Sequence, residues 1–328
     1  MDKTRCEKTN NPLVSVIVPV YNVAPYIRES LNSVIRQTYK NLEILVIDDG
    51  STDVSGSICD EYAIDIRVRV IHQDHMGPSQ ARNAGIEAST GDYIAFLDSD
   101  DVLHPEFVQR MLAAMIKYAP DVVVCKHDRQ SRAGEGNQIL DRKKALIELV
   151  CGQIGWNVWS KLFTKKSLEN IRFPLETSRG EDMVFILRVF DLCSTVIELD
   201  EILYRYRERP GSLTYTWTID AFNEVAWSQQ FLNTFIWEHI PEVYSSKDLL
   251  ERQQKWLRYM ISWYVKASPP SEEIRKRIIS FTDEVGIGNF EFKTRMAYYM
   301  LRSAPWLLKA AYLIYYPVRM TIWKTVGR

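Results

Sequence analysis

The feature that most constrains the fold is the alternation of strand-like and helix-like segments over the first 125 residues. Five short apolar runs rich in β-branched residues are predicted strands, and the segments between them carry apolar residues at helical spacing. The predicted strands are residues 14–18, 43–47, 67–71, 93–97 and 121–125. This order is typical of an α/β architecture, a mostly parallel sheet with helices on both faces.

Acidic residues cluster directly after two of these strands. Asp48 and Asp49 follow the second strand, and Asp98, Asp100 and Asp101 follow the fourth. Ligands of open α/β sheets bind at the carboxyl ends of the strands, so both clusters are expected at one site. Neighbouring carboxylates repel each other unless a cation or a donor-rich ligand offsets their charge. The pattern therefore predicts a metal ion together with a nucleotide phosphate.

The segment after the first strand excludes two common ways of binding phosphate. A dinucleotide-binding fold needs a glycine-rich turn there, but residues 19–26 contain no glycine, and the sequence has no Walker A motif. The carboxylates after the fourth strand instead offer the hard oxygen ligands that Mg²⁺ or Mn²⁺ prefers. Taken alone, the cluster that begins at Asp48 is equally well explained by a turn followed by a helix cap.

Composition and charge narrow the class of protein. Of the 328 residues, 46% are hydrophobic and 25% are charged, as in an ordinary globular protein. The net charge of −1 gives no electrostatic reason to expect a nucleic-acid partner. Five cysteines without paired spacing favour reduced thiols and a cytoplasmic setting. The polar N-terminus lacks a signal-peptide core, and no apolar run reaches the ~18 residues of a membrane span.

Four motifs in register resemble those of glycosyltransferase family 2, in its bacterial polysaccharide type. They occupy residues 15–22, 46–53, 77–85 and 96–101. The resemblance implies the GT-A fold, a Rossmann-like mostly parallel sheet flanked by helices, with a nucleotide-sugar-binding and catalytic domain over residues 1–214. Residues 215–328 lie outside the resemblance, and their spacing predicts a helical C-terminal region.

The resemblance implies a nucleotide-binding role for residues of the first two motifs. Pro19 and Tyr21, in the turn after the first strand, are expected to pack near the base. Asp48 or Asp49 is expected to accept a hydrogen bond from that base, which is uracil if the donor is a UDP-sugar.

The third and fourth motifs are implied to handle the diphosphate and its metal ion. Arg82 is expected near the diphosphate, and Asp100 is expected to bind Mn²⁺ or Mg²⁺. Asp98 is expected to contact the ribose or the metal. For Asp101, a role in the site and a role as a helix N-terminal acid remain equally open.

A Glu-Asp pair that opens a predicted helix matches the acidic pair that supplies the catalytic base in the family. Sugar transfer needs a base that takes the proton of the acceptor hydroxyl. The resemblance implies Asp182 as this base and Glu181 as its helper, and one base with direct displacement implies inversion at the anomeric carbon. The alternative is that both acids simply complement the N-terminus of their helix.

Two further segments resemble acceptor-side and diphosphate-side elements. Trp156 and Trp159 could stack on sugar rings and Lys161 could meet a phosphate, with core packing of the tryptophans as the alternative. Arg207 and Arg209 lie in a segment that resembles the family's mobile arginine loop, which closes over the diphosphate. The alternative is a solvated basic loop.

The last 37 residues are basic and rich in aromatic side chains. No acidic residue follows Glu291, whereas seven basic ones do. Arg295, Arg302 and Lys309 recur every seven residues and so share one stripe of a helix. Basic residues beside Trp, Tyr and Leu indicate an amphipathic segment on an anionic membrane surface. A helix packed on the enzyme with a solvated basic face is the alternative.

Together these features predict an inverting, metal-dependent glycosyltransferase of the hexosyltransferase type. It would move a sugar from a nucleotide sugar, with UDP favoured, to a glycan or polyprenyl-linked glycan in surface polysaccharide synthesis, in the cytoplasm or peripherally on the inner face of the cell membrane. One alternative is a non-catalytic nucleotide-sugar-binding protein, against which the intact Asp98, Asp100 and Asp182 argue. Another is a nucleotidyltransferase, which needs a basic glycine-rich triphosphate loop that is not visible near the first strand.

Overall fold

A single mixed β-sheet forms the framework of the N-terminal part of the chain. The computed structural model describes residues 11–129, 136–209, 219–266, 271–286, 288, 290–306 and 308. Nine strands of this described part join the sheet. They are β1 (Val14–Val20), β2 (Leu42–Asp49), β3 (Val68–Gln73), β4 (Tyr93–Phe96), β5 (Val102–Leu103), β6 (Val122–His127), β7 (Gln138–Asp141), β8 (Lys161–Thr164) and β9 (Thr195–Arg205).

The strand order is β3-β2-β1-β4-β8-β6-β9-β5, with β7 paired to β9. Strands β3, β2, β1 and β4 run parallel to one another, as the alternating sequence predicts. Strand β8 is antiparallel to both β4 and β6, while β6 and β9 are parallel. The predicted α/β class is therefore confirmed. The antiparallel insertion between β4 and β6 is a feature that the strand pattern did not reveal.

Helices cover the sheet and follow its strands in chain order. They are α1 (Ala24–Ile35), α2 (Ser55–Tyr62), α3 (Pro78–Ala88), α4 (Phe107–Tyr118), α5 (Arg142–Cys151) and α6 (Glu181–Leu192). Strand β1 is buried at six of its seven positions, as expected for a strand covered on both faces. Helix α1 begins with a proline in its first turn and buries Ile27, Leu31 and Val34 along one side.

Helix α3 lies unusually close to β1. A Cβ atom at Gly85 would come within 2.3 Å of Cγ2 of Ile17, so only glycine fits at this position without a shift. Pro78 starts the helix, and Gly77 before it has a φ of +91°. The close approach fixes α3 against the sheet, and α3 carries Arg82.

Two loops at the carboxyl ends of β1 and β2 are joined by side-chain contacts. Asn22 has a φ of +50°, and its Oδ1 accepts hydrogen bonds from the backbone N–H groups of Thr52 (2.8 Å) and Asp53 (3.2 Å). Ser51 Oγ in turn accepts a hydrogen bond of 3.1 Å from the Asn22 backbone. The first two motifs of the sequence therefore form one structural unit.

The chain divides into two units. The first comprises Met1–Leu149 and Gln153–Pro210, and the second comprises Val150–Gly152 and Gly211–Arg328. The predicted boundary at residue 214 lies outside the described residues, so the extent of the two domains stays a prediction.

The described residues of the second unit form four long helices. They are α7 (Ile219–His239), α8 (Lys247–Lys266), α9 (Glu272–Val285) and α10 (Phe292–Ser303). Its core includes Leu257, Ile278 and Leu301, which are fully buried. None of the helices in the described ranges is long and apolar enough to cross a bilayer. Lys309, the last residue of the predicted basic stripe, lies outside those ranges.

Candidate donor-binding and catalytic site

Arg82, a buried arginine on α3, forms the centre of the site. Its guanidinium nitrogens lie 3.0 Å from Asp98 Oδ1, 3.0 Å from Glu181 Oε1 and 3.3 Å from Asp182 Oδ1. The side chain of this residue, Arg82, is only 7% exposed. One cation thus brings together the acid that follows β4 and the pair that opens α6, as the sequence predicts for residues of one site.

The carboxylates around Arg82 carry more negative charge than the arginine offsets. Burial raises the pKa of Asp98 to about 6, although Arg82 counteracts part of the shift. Burial and the nearby Asp182 charge raise the pKa of Glu181 to about 7. Burial works against the charge of Arg82 itself, but the three carboxylates outweigh it and raise the arginine pKa above its usual value.

Asp182 is held at two points, and one of its oxygens is buried without a hydrogen bond from the described part of the chain. The backbone N–H of Val158 donates to Asp182 Oδ2 at 3.4 Å. Oδ1 is buried and ion-paired to Arg82, yet it accepts no hydrogen bond from any described residue. A buried carboxylate oxygen of this kind is costly unless a ligand supplies a donor.

The remaining acids after β4 contact the segment that follows β9. Asp100 is ion-paired with Arg209. Asp101 is 1% exposed and accepts hydrogen bonds from the Tyr204 hydroxyl (2.8 Å) and the Arg207 backbone N–H (2.7 Å). Burial, with the nearby Asp98 charge, raises the pKa of Asp101 to about 8. Asp101 therefore acts as a structural link to β9, which neither reading of the sequence described.

Asp49 organises the loop between β3 and α3. Its Oδ1 accepts hydrogen bonds from Gln73 Nε2 (2.6 Å) and the Met76 backbone (2.9 Å). Its Oδ2 accepts one from the Gly77 backbone at 2.8 Å and contacts Nδ1 of His75 at 2.8 Å. This single carboxylate therefore fixes the loop that leads into α3.

Asp48 has a smaller set of partners. Its Oδ1 accepts a hydrogen bond from the Ser51 backbone at 3.2 Å, and its Oδ2 contacts His72 Nδ1 at 2.8 Å. Hydrogen bonds to Asp48 and Asp60 raise the pKa of His72 above its usual value. A Cβ atom at Gly56 would lie 2.8 Å from Asp48 Oδ2, so α2 also packs closely on this carboxylate.

An aromatic pair lies beside these acids. The Tyr21 and His75 rings stack with centroids 3.9 Å apart and an interplanar angle of 15°. Tyr21 is 40% exposed, and Pro19 lies two residues before it in β1. The sequence motifs did not single out His75. The available signal is its position two residues past β3, the strand that pairs with the Asp48–Asp49 end of β2.

Two of the predicted acceptor-side residues, Trp159 and Lys161, lie in the interior, whereas Trp156 is half-buried. Trp159 is 8% exposed and stacks on Tyr204, with ring centroids 4.2 Å apart. Lys161 is fully buried, and its ammonium donates to the carbonyl oxygens of Gly155 (2.8 Å) and Asn157. Burial lowers the pKa of Lys161 to about 7. In this arrangement the two residues support the loop that contacts Asp182, and their direct contact with an acceptor stays a prediction.

The carboxylates after β4 are candidate ligands of a divalent ion. No group of three or more His, Cys, Asp and Glu residues in the described part of the chain is arranged to enclose a metal. Asp98 and Asp100 nevertheless provide two hard carboxylate groups beside further acids, and each is paired with an arginine. This donor set fits Mg²⁺ or Mn²⁺ when phosphate oxygens complete the coordination shell.

Replacing Arg82 tests its role as the central cation. We expect Arg82→Met to lower the free energy of unfolding by about 3–5 kcal/mol, because three carboxylates lose their buried partner. The loss should be larger at about pH 8 than at about pH 5.5, because Glu181, with its raised pKa, is protonated at the lower pH. Urea unfolding at both pH values measures this.

Arg110→Met is the matched control. Arg110 is half-exposed on α4 and pairs with Glu106 at 3.2 Å, so its removal should cost little at either pH. An Arg82 variant that is as stable as this control would contradict the central role of Arg82.

Comparisons with known proteins give one matching family. The model of the glycosyl transferase family 2 matches residues 15–183, which is more than half of the chain. The uncharacterized glycosyltransferase EpsJ of Bacillus subtilis is 39% identical over 217 residues, which cover 62% of this chain and 63% of EpsJ. The chain thus spans less than two thirds of the length of this relative.

Solved structures of two glycosyltransferases share the fold. The S. aureus TarS fragment 1–349 in complex with UDP-GlcNAc superposes with a TM-score of 0.57 at 21% identity, over 88% of this chain and 87% of that one. The mannosyltransferase PcManGT from Pyrobaculum calidifontis, in complex with GDP-Man and Mn²⁺, superposes with a TM-score of 0.56 at 17% identity. The match covers 93% of this chain and 87% of that one. From its motifs, its sheet and these matches, the chain belongs to glycosyltransferase family 2 and has the GT-A fold.

Proposed function

We propose that this glycosyltransferase is metal dependent and inverting, and that it transfers a sugar from a UDP-sugar to a glycan or polyprenyl-linked glycan of a surface polysaccharide. The observation that carries the proposal is the buried Oδ1 of Asp182, which lies beside Arg82 and accepts no hydrogen bond within the described residues. The Asp182 side chain is 21% exposed, so an acceptor hydroxyl can reach this carboxylate.

Asp182 is the proposed general base. A carboxylate within hydrogen-bond reach can take the proton of the acceptor hydroxyl as that oxygen attacks the anomeric carbon. Arg82 and the Val158 backbone hold the carboxylate at its two oxygens, which fixes its direction. Glu181 shares Arg82 and carries a raised pKa, so it supports the charge balance around the base.

The nucleotide is proposed to lie over the ends of β1 and β2. The exposed Tyr21 ring, stacked on His75, offers a flat surface beside Pro19 that suits a base. Asp48 is the better candidate for a hydrogen bond to that base, because each of its oxygens has one partner, whereas each oxygen of Asp49 already has two. The diphosphate is then directed toward Arg82.

Asp98 and Asp100 are the proposed ligands of Mn²⁺ or Mg²⁺. When bound, such an ion offsets the negative charge that develops on the departing nucleoside diphosphate. The two carboxylates need further oxygen ligands, and a diphosphate provides them. The Mn²⁺ in the PcManGT complex and the UDP-GlcNAc in the TarS complex support this assignment by analogy of fold.

A membrane surface is the proposed location of the acceptor, at the cytoplasmic face. Helix α10 buries Tyr298 and Leu301 on one side. Its opposite side exposes Phe292, Met296 and Tyr299 at 69%, 43% and 52%. Residues 292–328 carry a net charge of +7, which suits anionic lipid headgroups and leaves −8 on the rest of the chain.

Substitution of the proposed base gives the most direct test of function. We expect Asp182→Asn to lower sugar transfer and donor hydrolysis by roughly 10²–10⁴-fold, because the amide cannot accept the proton. UDP binding, measured by calorimetry, should be nearly unchanged. Asp191→Asn, on the same helix but paired with Arg142, is the control and should keep its activity. An Asp182→Asn enzyme that turns over normally would remove Asp182 from the mechanism.

Donor and metal can be identified together by thermal shift. Wild-type protein is melted with a panel of nucleotide sugars in the presence of Mn²⁺ or of a chelator. We expect one UDP-sugar to raise the melting temperature only with Mn²⁺, and Asp100→Ala to abolish this rise, because ligand binding to the folded state stabilises it. A rise that survives the chelator or the substitution would contradict the metal assignment.

The membrane proposal is tested with vesicles. We expect wild-type protein to sediment with anionic vesicles but not with neutral ones. The double variant Phe292→Ser/Tyr299→Ser should bind several-fold more weakly, because the exposed apolar side of α10 is lost. Ile64→Ser/Ile66→Ser removes two side chains of the first unit that are 90% and 100% exposed, and it is the control. Equal sedimentation of both double variants, or a truncation near Phe292 that still sediments, would exclude α10 as the anchor.

A further inference from the structure

Five consecutive residues at and after the end of β9, called here the arginine strap (residues 205–209), each contact a charged residue elsewhere in the first unit. In chain order the contacts are Arg205 to Glu29, Tyr206 to Asp128, Arg207 to Glu29 and Asp101, Glu208 to Arg129, and Arg209 to Asp100. The three arginines alternate with the other two residues, so their side chains reach the same side of the strap.

Helix α1 carries the residues that contact the three arginines. Glu29 pairs with Arg205 through Oε1 and with Arg207 through Oε2. These hydrogen bonds, the one from Arg207 above all, lower the pKa of Glu29, so this carboxylate stays charged. Tyr26 lies three residues earlier on the same face of α1, and its ring centroid is 5.2 Å and 5.8 Å from the guanidinium carbons of Arg207 and Arg209.

The last arginine contacts a residue of the proposed metal site. Arg209 Nε is ion-paired with Oδ2 of Asp100, and the two side chains are 22% and 19% exposed. A guanidinium on this carboxylate offsets the same negative charge that a divalent ion offsets. The pair is also within reach of solvent, so an incoming ion can compete for the carboxylate.

We propose that Arg209 occupies the place of the metal ion on Asp100 in the donor-free enzyme, and that Glu29 and Tyr26 are positioning residues that hold the strap there. This inference rests on the proposed metal site. Metal and Arg209 then compete for Asp100 until a nucleoside diphosphate binds. The diphosphate offers oxygens both to the ion and to the freed guanidinium, so cation and donor each promote the binding of the other.

In the proposed exchange of partners, only side chains of the strap move. The Arg207 backbone N–H and the Tyr204 hydroxyl both donate to the buried Asp101, independently of Glu29 and Asp100. Tyr206 N–H is likewise fixed by Asp128 at 3.1 Å. Arg209 can therefore exchange its carboxylate for a phosphate while the backbone at Tyr206 and Arg207 stays in place.

Titration of Mn²⁺ without nucleotide tests the proposal, with free Mn²⁺ measured by electron paramagnetic resonance. We expect Arg209→Gln to bind Mn²⁺ roughly three- to tenfold more tightly than wild type, since a competing, partly exposed ion pair is gone. Glu29→Gln should shift the affinity in the same direction by a smaller factor. With Mn²⁺ present, Arg209→Gln should bind UDP more weakly, because the diphosphate loses a partner.

Arg110→Gln is the control, because it removes the same charge from an arginine that pairs with Glu106. Unchanged or weaker Mn²⁺ binding by Arg209→Gln would overturn the inference, as would an equal gain in Arg110→Gln. Melting temperatures establish that each variant is folded. Failure of the proposed metal site gives a different result: wild type and Asp100→Asn then bind Mn²⁺ equally, or neither binds it even with UDP, and the inference fails with it.

Discussion

The burial of Arg82 among three carboxylates is the interaction on which the rest of the site depends. Such a buried network adds little net stability compared with an apolar core, but the loss of one partner is expensive. Its main consequence is therefore geometric. Because α3 is fixed against β1 by the contact of Gly85 with Ile17, the guanidinium is fixed too. Asp98 and Asp182, which come from distant parts of the chain, are held in place through it.

The same network leaves the site short of positive charge. Burial raises the pKa values of Asp98 and Glu181 to about 6 and about 7, so both carboxylates would gain from a nearby cation. Arg209 supplies one on Asp100 in the structure. Under the proposed function, a divalent ion supplies a higher positive charge than the arginine. It binds together with a diphosphate, whose negative charge needs partners of its own. Arginine and ion thus share the Asp100 carboxylate, and both are partners of the diphosphate.

The sequence predicts the parts of this arrangement that depend on local pattern. Buried β-branched runs located the parallel strands β1 to β4, and Asp98 follows the end of β4, where it contacts Arg82. Contacts set by register across the sheet were not predictable in this way. The stacking of His75 on Tyr21 joins two loops more than fifty residues apart, and it follows from the pairing of β2 with β3.

Residues whose type suggests solvent were the hardest to interpret. A lysine within an aromatic segment suggested a ligand contact for Lys161, yet its ammonium is buried and bonded to two backbone carbonyls. Basic residues after β9 were equally consistent with a solvated loop. The position of Glu29 on α1 distinguishes a solvated basic loop from one that is bound at the site. No spacing rule relates Glu29 to Arg205 and Arg207. Tertiary placement of a single carboxylate therefore decides whether Arg205 and Arg207 are free or held against α1.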